Sequence, residues 1–334
     1  MSGNAHKQAV QRYARALAHP GNWDGAVHEF LAPDAQINIV HPFNEVRGAD
    51  GLISTFFSGL KSAFDGLYRR GDIMIGGTSR GEDWVACHGH FSGKFTRDWL
   101  GITATGRLEY LRFAEFFRFD GDRVVEANIF LDIPNLMIAA GQWPISDSPG
   151  AERGYTGYLP GPATADGIVS GESDAGETAR TLQIIEDMLR SLATKDEAWR
   201  PYWHDNMMWY GPAAFGAFVG IEDFAGFQVP FEGAFELWSG GLSGNGVTEH
   251  RTRYADGLYG CIAGWPSLMC VRKEPFLGQP SDGETVFMRV CDFWRREGDL
   301  LVENWVIVDI PDVLLQMGVD LFDGYHDVSA GPRV

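Results

Sequence analysis

Apolar positions near the start of the chain fall at helical spacing. Val10, Tyr13, Ala14 and Leu17 follow the i, i+3, i+4, i+7 rule and predict an amphipathic helix. Leu182, Ile185, Leu189 and Leu192 predict its counterpart in the second half. A short helical segment follows each, over 26–31 and 196–203, and then a short strand, over 36–40 and 207–210. Leu52, Ile53, Phe56, Phe57 and Leu60 mark another helix. Beyond it the first half changes to strand patterning, over 70–75, 83–91, 106–119 and 123–131. Asp120-Gly121-Asp122 and Glu297-Gly298-Asp299 have the chemistry of hairpin turns. Pro134 and Pro311 stand at the first position of a last helical turn, where a missing N–H costs nothing. Helices first and antiparallel strands later predict an α+β fold, with helices packed on one face of a sheet.

The pattern occurs twice. RFDGDRVVEANIFLDIPNLMIAAG (118–141) aligns without a gap on RREGDLLVENWVIVDIPDVLLQMG (295–318). Looser matches upstream keep the same order of elements. The expected organisation is one domain in two copies, 1–143 and 178–325, joined by a linker over 144–177 rich in Gly, Pro and Ser. Tyr155, Tyr158 and Leu159 are too apolar for a free tether, so part of the linker is expected to pack on a domain.

Strand parity singles out a carboxylate in each copy. In LEYLRFAEFFRF (108–119), Glu115 shares a face with Leu111, Phe113 and Phe117, and the arginines take the other face. Asp292 aligns with Glu115 and shares its face with Met288, Val290 and Trp294. A desolvated carboxylate has a raised pKa, suited to proton transfer near neutrality. The competing reading is a carboxylate bonded to a backbone amide or paired with an arginine from elsewhere.

Composition narrows the classes. The 334 residues carry 27 Lys+Arg against 45 Asp+Glu, a formal charge of −18, which disfavours nucleic acid and anionic membranes as partners. No apolar run approaches the ~20 residues of a membrane span. The N-terminal stretch has no apolar core typical of a secretory leader, and a cytoplasmic protein is expected. Cys87, Cys261, Cys270 and Cys291 have no paired spacing and read as reduced, buried thiols. No spacing suggests a metal site, and no cofactor is expected.

At the level of motifs the chain resembles the SnoaL-like branch of the NTF2-like superfamily, which includes small polyketide cyclases. The first half carries HGHFSGKF (88–95), ATGR (104–107), AEFFRFDG (114–121) and NIFLD (128–132). The second carries WYGP (209–212), CDFWRREG (291–298), NWVIVD (304–309) and QMG (316–318). The resemblance implies a cone, with helices on a curved antiparallel sheet enclosing an apolar pocket. It also implies an acidic residue of the hairpin strand as general acid/base, Glu115 here and Asp292 in the second copy. A histidine of the preceding strand would assist: His90, with His88 as the alternate. Trp305 and Asp309 match a Trp-x-x-x-Asp pair, whose places in the first half are held by Asn128 and Asp132. Aligning Asp83 with Asp256 puts Cys261 and Ala263 opposite His88 and His90, so the second pocket lacks the imidazole and the first is the better catalytic candidate.

Two functions fit. One is a cofactor-free enzyme acting on an apolar carbonyl compound by aldol cyclisation, isomerisation, dehydration or hydration. The other is a binding module or partner scaffold without chemistry. His41, Trp209 and Tyr210 are further candidates for a pocket lining, while His204 and His250 are expected at the surface. Asp132 and Asp309 are expected to act structurally at helix starts. The two copies are expected to pair within the chain as a pseudo-dimer, with further dimerisation left open.

Overall fold

The computed structural model describes residues 3–145, 149–150, 159–192 and 194–323. The first half runs α1 (Gly3–Leu17), α2 (Trp23–Phe30), β1 (Leu31–Ile39), β2 (Asn44–Arg47), α3 (Gly48–Leu52), a π-helical turn, α4 (Ser58–Ala63), β3 (Phe64–Ser79), β4 (Glu82–Phe95), β5 (Leu108–Asp120), β6 (Arg123–Leu131) and α5 (Ile133–Ala139). The second runs α6 (Ala175–Leu192), β7 (Trp203–Tyr210), β8 (Ala217–Val219), α7 (Ile221–Ala234), β9 (Phe235–Gly240), β10 (Thr252–Asp256), β11 (Tyr259–Arg272), β12 (Thr285–Glu297), β13 (Leu300–Val308) and α8 (Ile310–Gln316).

Both sheets have the same order, β2-β1-β6-β5-β4-β3 and β8-β7-β13-β12-β11-β10, with β9 also beside β11. Each is antiparallel except for one parallel pair, β1 with β6 and β7 with β13. The fold is α+β, with a mostly antiparallel sheet and its helices in each half. Helix α1 buries its predicted stripe of Val10, Tyr13 and Leu17. In α6 the buried stripe is Thr181, Ile184, Ile185 and Met188, turned from the predicted one. The helix expected over 196–203 is only a 3₁₀ turn at Arg200–Tyr202, because Pro201 lacks a donor and biases its predecessor away from the helical region.

Each sheet has two faces with different partners. The helices cover one face. The outer faces of the two sheets pack on each other, and one apolar core runs through the contact. Phe116 meets Phe293 at 5.4 Å between ring centroids, and Phe130 meets Trp265 at 5.1 Å.

Two buried carboxylates fasten this contact reciprocally. Asp132 accepts from the Ala213 N–H at 3.1 Å and from Arg112 Nη2 at 2.9 Å. Asp309 accepts from the His41 N–H at 3.0 Å and from Arg289 Nη1 at 2.9 Å. Arg112 also donates across the interface to the carbonyls of Tyr210, Gly211 and Val306. The helix-start role expected of these residues holds for Asp309, which accepts from the Asp312 N–H, whereas Asp132 makes no cap bond.

The linker lies across both sheets. Leu159 is buried, as expected, while Tyr155 and Tyr158 fall outside the described residues. Trp305 Nε1 donates to the Pro160 carbonyl at 2.9 Å, and the Ala163 N–H donates to Glu303 at 3.1 Å. On the other side, the Met74 N–H donates to the Gly167 carbonyl at 2.8 Å. Among the described residues no helix is long and apolar enough to cross a membrane.

Two stability measurements follow from the interface. Removing one partner of a buried ion pair strands the other charge. Asp132→Ala is expected to cost about 3 kcal/mol in urea unfolding; a change within the noise of a surface substitution would remove the clasp from the account. The second concerns His88, which is 0% exposed with neither ring nitrogen partnered among the described residues. Burial, then the charge of Arg112, holds its pKa well below the ordinary value. The unfolded chain takes up this proton near pH 6.5 and the folded chain does not, so stability is full above that pH and falls as pH drops below it. The residue's share of the loss is about 2 kcal/mol between pH 7 and pH 5. His88→Leu should reduce the acid sensitivity by that amount, and an unaltered pH slope would contradict it.

Candidate active site

The first cone is filled from within. Trp23, Phe56, Phe57, Phe91, Phe113 and Phe117 are among its largest buried side chains. Glu115 lies on this inner face, as parity predicts, but not as a free acid. Arg69 of β3 donates through Nε and Nη2 to Glu115 Oε2. The guanidinium also lies 4.3 Å over the Phe113 ring. Burial opposes the Arg69 charge, yet the adjacent Glu115 holds its pKa above the usual value. Glu115 is a structural ion-pair partner in this arrangement.

His88 and His90 do not join it. Across the β4–β5 ladder Cys87 stands opposite Glu115, whereas His88 stands opposite Ala114 and His90 opposite Arg112. Directly paired residues share a face, so both imidazoles are on the outer face. His90 Nδ1 lies 2.9 Å from Asp72 Oδ2, and the His88 ring packs by Phe293 and Trp305. The expected Glu115–His90 pair is therefore separated by the sheet. The ladder also corrects the alignment of the halves. Ile262 pairs with Asp292 as Cys87 pairs with Glu115, so Ala263 and Trp265 correspond to His88 and His90.

The second cone holds a cavity of about 150 Å³. Its walls come from α6 (Met188, Leu189, Leu192), α7 (Phe224, Phe227, Phe231) and the inner face of the sheet. Trp209 also lines it. Asp292 lines it at 9% exposure. The carboxylate has no cation within ion-pair distance among the described residues. It accepts one hydrogen bond, from Asn304 Nδ2 at 3.2 Å. That amide also donates to the Phe293 carbonyl at 3.0 Å, which fixes its position. Burial pushes the Asp292 pKa up to about 7, against the pull of the Asn304 bond.

A histidine lies in the same wall. His250, expected at the surface, is 6% exposed and lines the cavity. Burial, then the charge of Arg253, holds its pKa down at about 3, so the ring is neutral. Its place reflects a break in the sheet. The first half has a continuous β3, on which Arg69 pairs with Phe91. In the second half β9 ends opposite Leu268 and β10 begins opposite Ala263, where β11 is bulged. The loop between them delivers His250 to the region where the first cone has Arg69. Periodicity carries no information about such a loop. Asn304 shares the face of Asp292, so strand parity places it there, whereas the motif falls on its neighbour Trp305.

The remaining candidates lie elsewhere. Tyr210 and Trp305 stack at 5.3 Å on the outer face. Asn128 is on the outer face of the first sheet, accepting from Asn38 at 2.7 Å. The His41 ring lies 3.8 Å from Asp320 and beside Phe322. Asp132 and Asp309 form the interface clasps. Among the described residues no group of three His, Cys, Asp or Glu is placed to hold a metal ion.

Residues 7–138 match the family model of SnoaL-like polyketide cyclases. No curated protein matches the chain. Among solved structures, the chain is similar to a protein of Jannaschia sp. CCS1 described as a SnoaL-like polyketide cyclase, with 21% identity over 42% of this chain and 94% of that one and a TM-score of 0.36. TsrD from Streptomyces laurentii shows 18% identity over 42% of this chain and 98% of that one, TM-score 0.36. An NTF2-like protein from Burkholderia thailandensis E264 shows 21% over 42% and 98%, TM-score 0.33. The similarity to the SnoaL-like polyketide cyclase family thus lies in the first half of the chain, over residues 7–138.

Proposed function

We propose that the second cone is the active site of a cofactor-free enzyme that moves a proton at the carbon next to a carbonyl in a small apolar molecule. The observation that supports this is Asp292, a carboxyl at the wall of an apolar cavity with one amide bond and no neutralising cation among the described residues. A group titrating near 7 both takes and returns a proton at neutral pH. The Asp292 carboxylate removes the α-proton, the electron pair moves onto the carbonyl oxygen, and the carboxyl then returns the proton. Neutral His250 serves as a hydrogen-bond partner for the developing enolate oxygen. Asn304 positions the carboxylate without neutralising it. Cyclisation, isomerisation and dehydration share this first step.

The first cone is assigned a supporting role on this reading, because Arg69 neutralises Glu115. We also propose that the halves are duplicated copies of one domain, 1–143 and 178–325, paired within the chain as a pseudo-dimer. The shared strand order and the reciprocal clasps support this.

Deuterium exchange into the α-position of 2-tetralone in D₂O, followed by NMR, tests the chemistry. The wild-type chain should exceed buffer, with a rate that rises as pH passes through about 7 and Asp292 ionises. Asp292→Asn should lower the rate at least ~10²-fold, and Glu115→Gln should leave it near wild type. Equal exchange by wild type and Asp292→Asn would refute the assignment.

A further inference from the structure

A second cavity, of about 430 Å³, opens between the two halves and is polar where the first is apolar. One wall is the outer face of the first sheet, with Gln36, Asn38, Glu126 and Asn128. The other includes Glu249 and Trp265 of the second half. None of these residues belongs to the cavity of Asp292.

The pseudo-twofold arrangement gives this cleft a counterpart. Gln36 pairs with Glu126 and Asn38 with Asn128 across β1 and β6. Met208 pairs with Glu303 and Tyr210 with Trp305 across β7 and β13. These are the same positions in the two sheets. Even the supporting ion pair is repeated, Arg118 with Glu126 and Arg295 with Glu303. In the counterpart the wall is covered by the chain itself. The linker runs over it, giving the Ala163 N–H to Glu303 and taking the indole N–H of Trp305 on the Pro160 carbonyl. One wall thus presents an acceptor and a donor to the backbone of an extended segment.

The open cleft has the same pair of functions. Glu126 is the acceptor in the place of Glu303. Asn128 is the donor in the place of Trp305, because the Asn38 bond occupies its oxygen and leaves its amino group. A second observation points to a ligand. Glu249 is 5% exposed, and its Oε1 has no hydrogen-bond partner among the described residues, while Arg80 binds the other oxygen. A buried carboxylate oxygen is costly without a donor. A segment laid along the cleft would supply N–H groups to it.

We propose that this inter-domain cleft binds an extended segment of another polypeptide, held by its backbone on Glu126, Asn128 and Glu249 as the linker is held on Glu303 and Trp305. A purified full-length chain applied to an array of octapeptides, including Leu-Pro-Gly-Pro-Ala-Thr-Ala-Asp, tests this. The wild type should retain a defined set of peptides. Binding of that set should fall at least tenfold in the Glu126→Leu/Asn128→Leu double variant. Gln36→Trp, a half-exposed position at which the new ring would fill the cleft, should do the same with thermal unfolding unchanged. Retention of no peptide by the wild type overturns the proposal, as does equal retention by Gln36→Trp. Heat protection by free glucose that is lost in both variants, without peptide binding, also overturns it and reassigns the cleft to a small polyol.

Discussion

Arg112 leaves one sheet and ends among the carbonyl oxygens of the other half, with Asp132 balancing its charge. Arg289, Asp309 and the His41 N–H repeat the arrangement from the opposite side. These groups are expensive to bury, and the bonds that Arg112, the Ala213 N–H and the His41 N–H make across the contact form only where the two sheets meet. The clasps therefore decide which face of each sheet is turned outward. Side chains of that parity face the other half, among them His88, Tyr210 and Trp305. The sheet's contribution to the cavity lining comes from the other parity, which carries Asp292, Asn304 and Trp209.

Within that constraint the two inner faces have taken different courses. An unbroken β3 brings Arg69 to Glu115, and the carboxylate becomes half of an internal salt. The matching edge of the second sheet is interrupted by a bulge and a loop. A neutral imidazole enters the region of the guanidinium, and the aligned carboxylate keeps its proton affinity. The difference between a carboxylate paired with a guanidinium and one without a cation here is the continuity of one edge strand.

The sequence carried the element order of both halves, the hairpins and the inward orientation of both carboxylates, because each is expressed along a single stretch of chain. Relations between stretches were not legible. Parity within β5 is visible, but the phase of β4 against it is a matter of register, and one residue of slip moves a histidine through the sheet. The same slip separates His90 from Glu115 and moves its equivalent from Ala263 to Trp265. Arg69 and His250 were missed for the same reason: each acts from an element far from its partner in sequence, and one of them from a loop.

The linker that covers one of two equivalent walls also frees the halves from each other. In an assembly of two identical chains, every substitution appears twice and must suit both sides of the axis. Here a change at Trp305 has no echo at Asn128, and loss of imidazole at Ala263 leaves His88 in place. The chain can thus cover one wall with its own linker and leave the equivalent wall uncovered. Covalent connection also keeps the partners at high effective concentration, so the contact tolerates asymmetric wear that would separate free subunits.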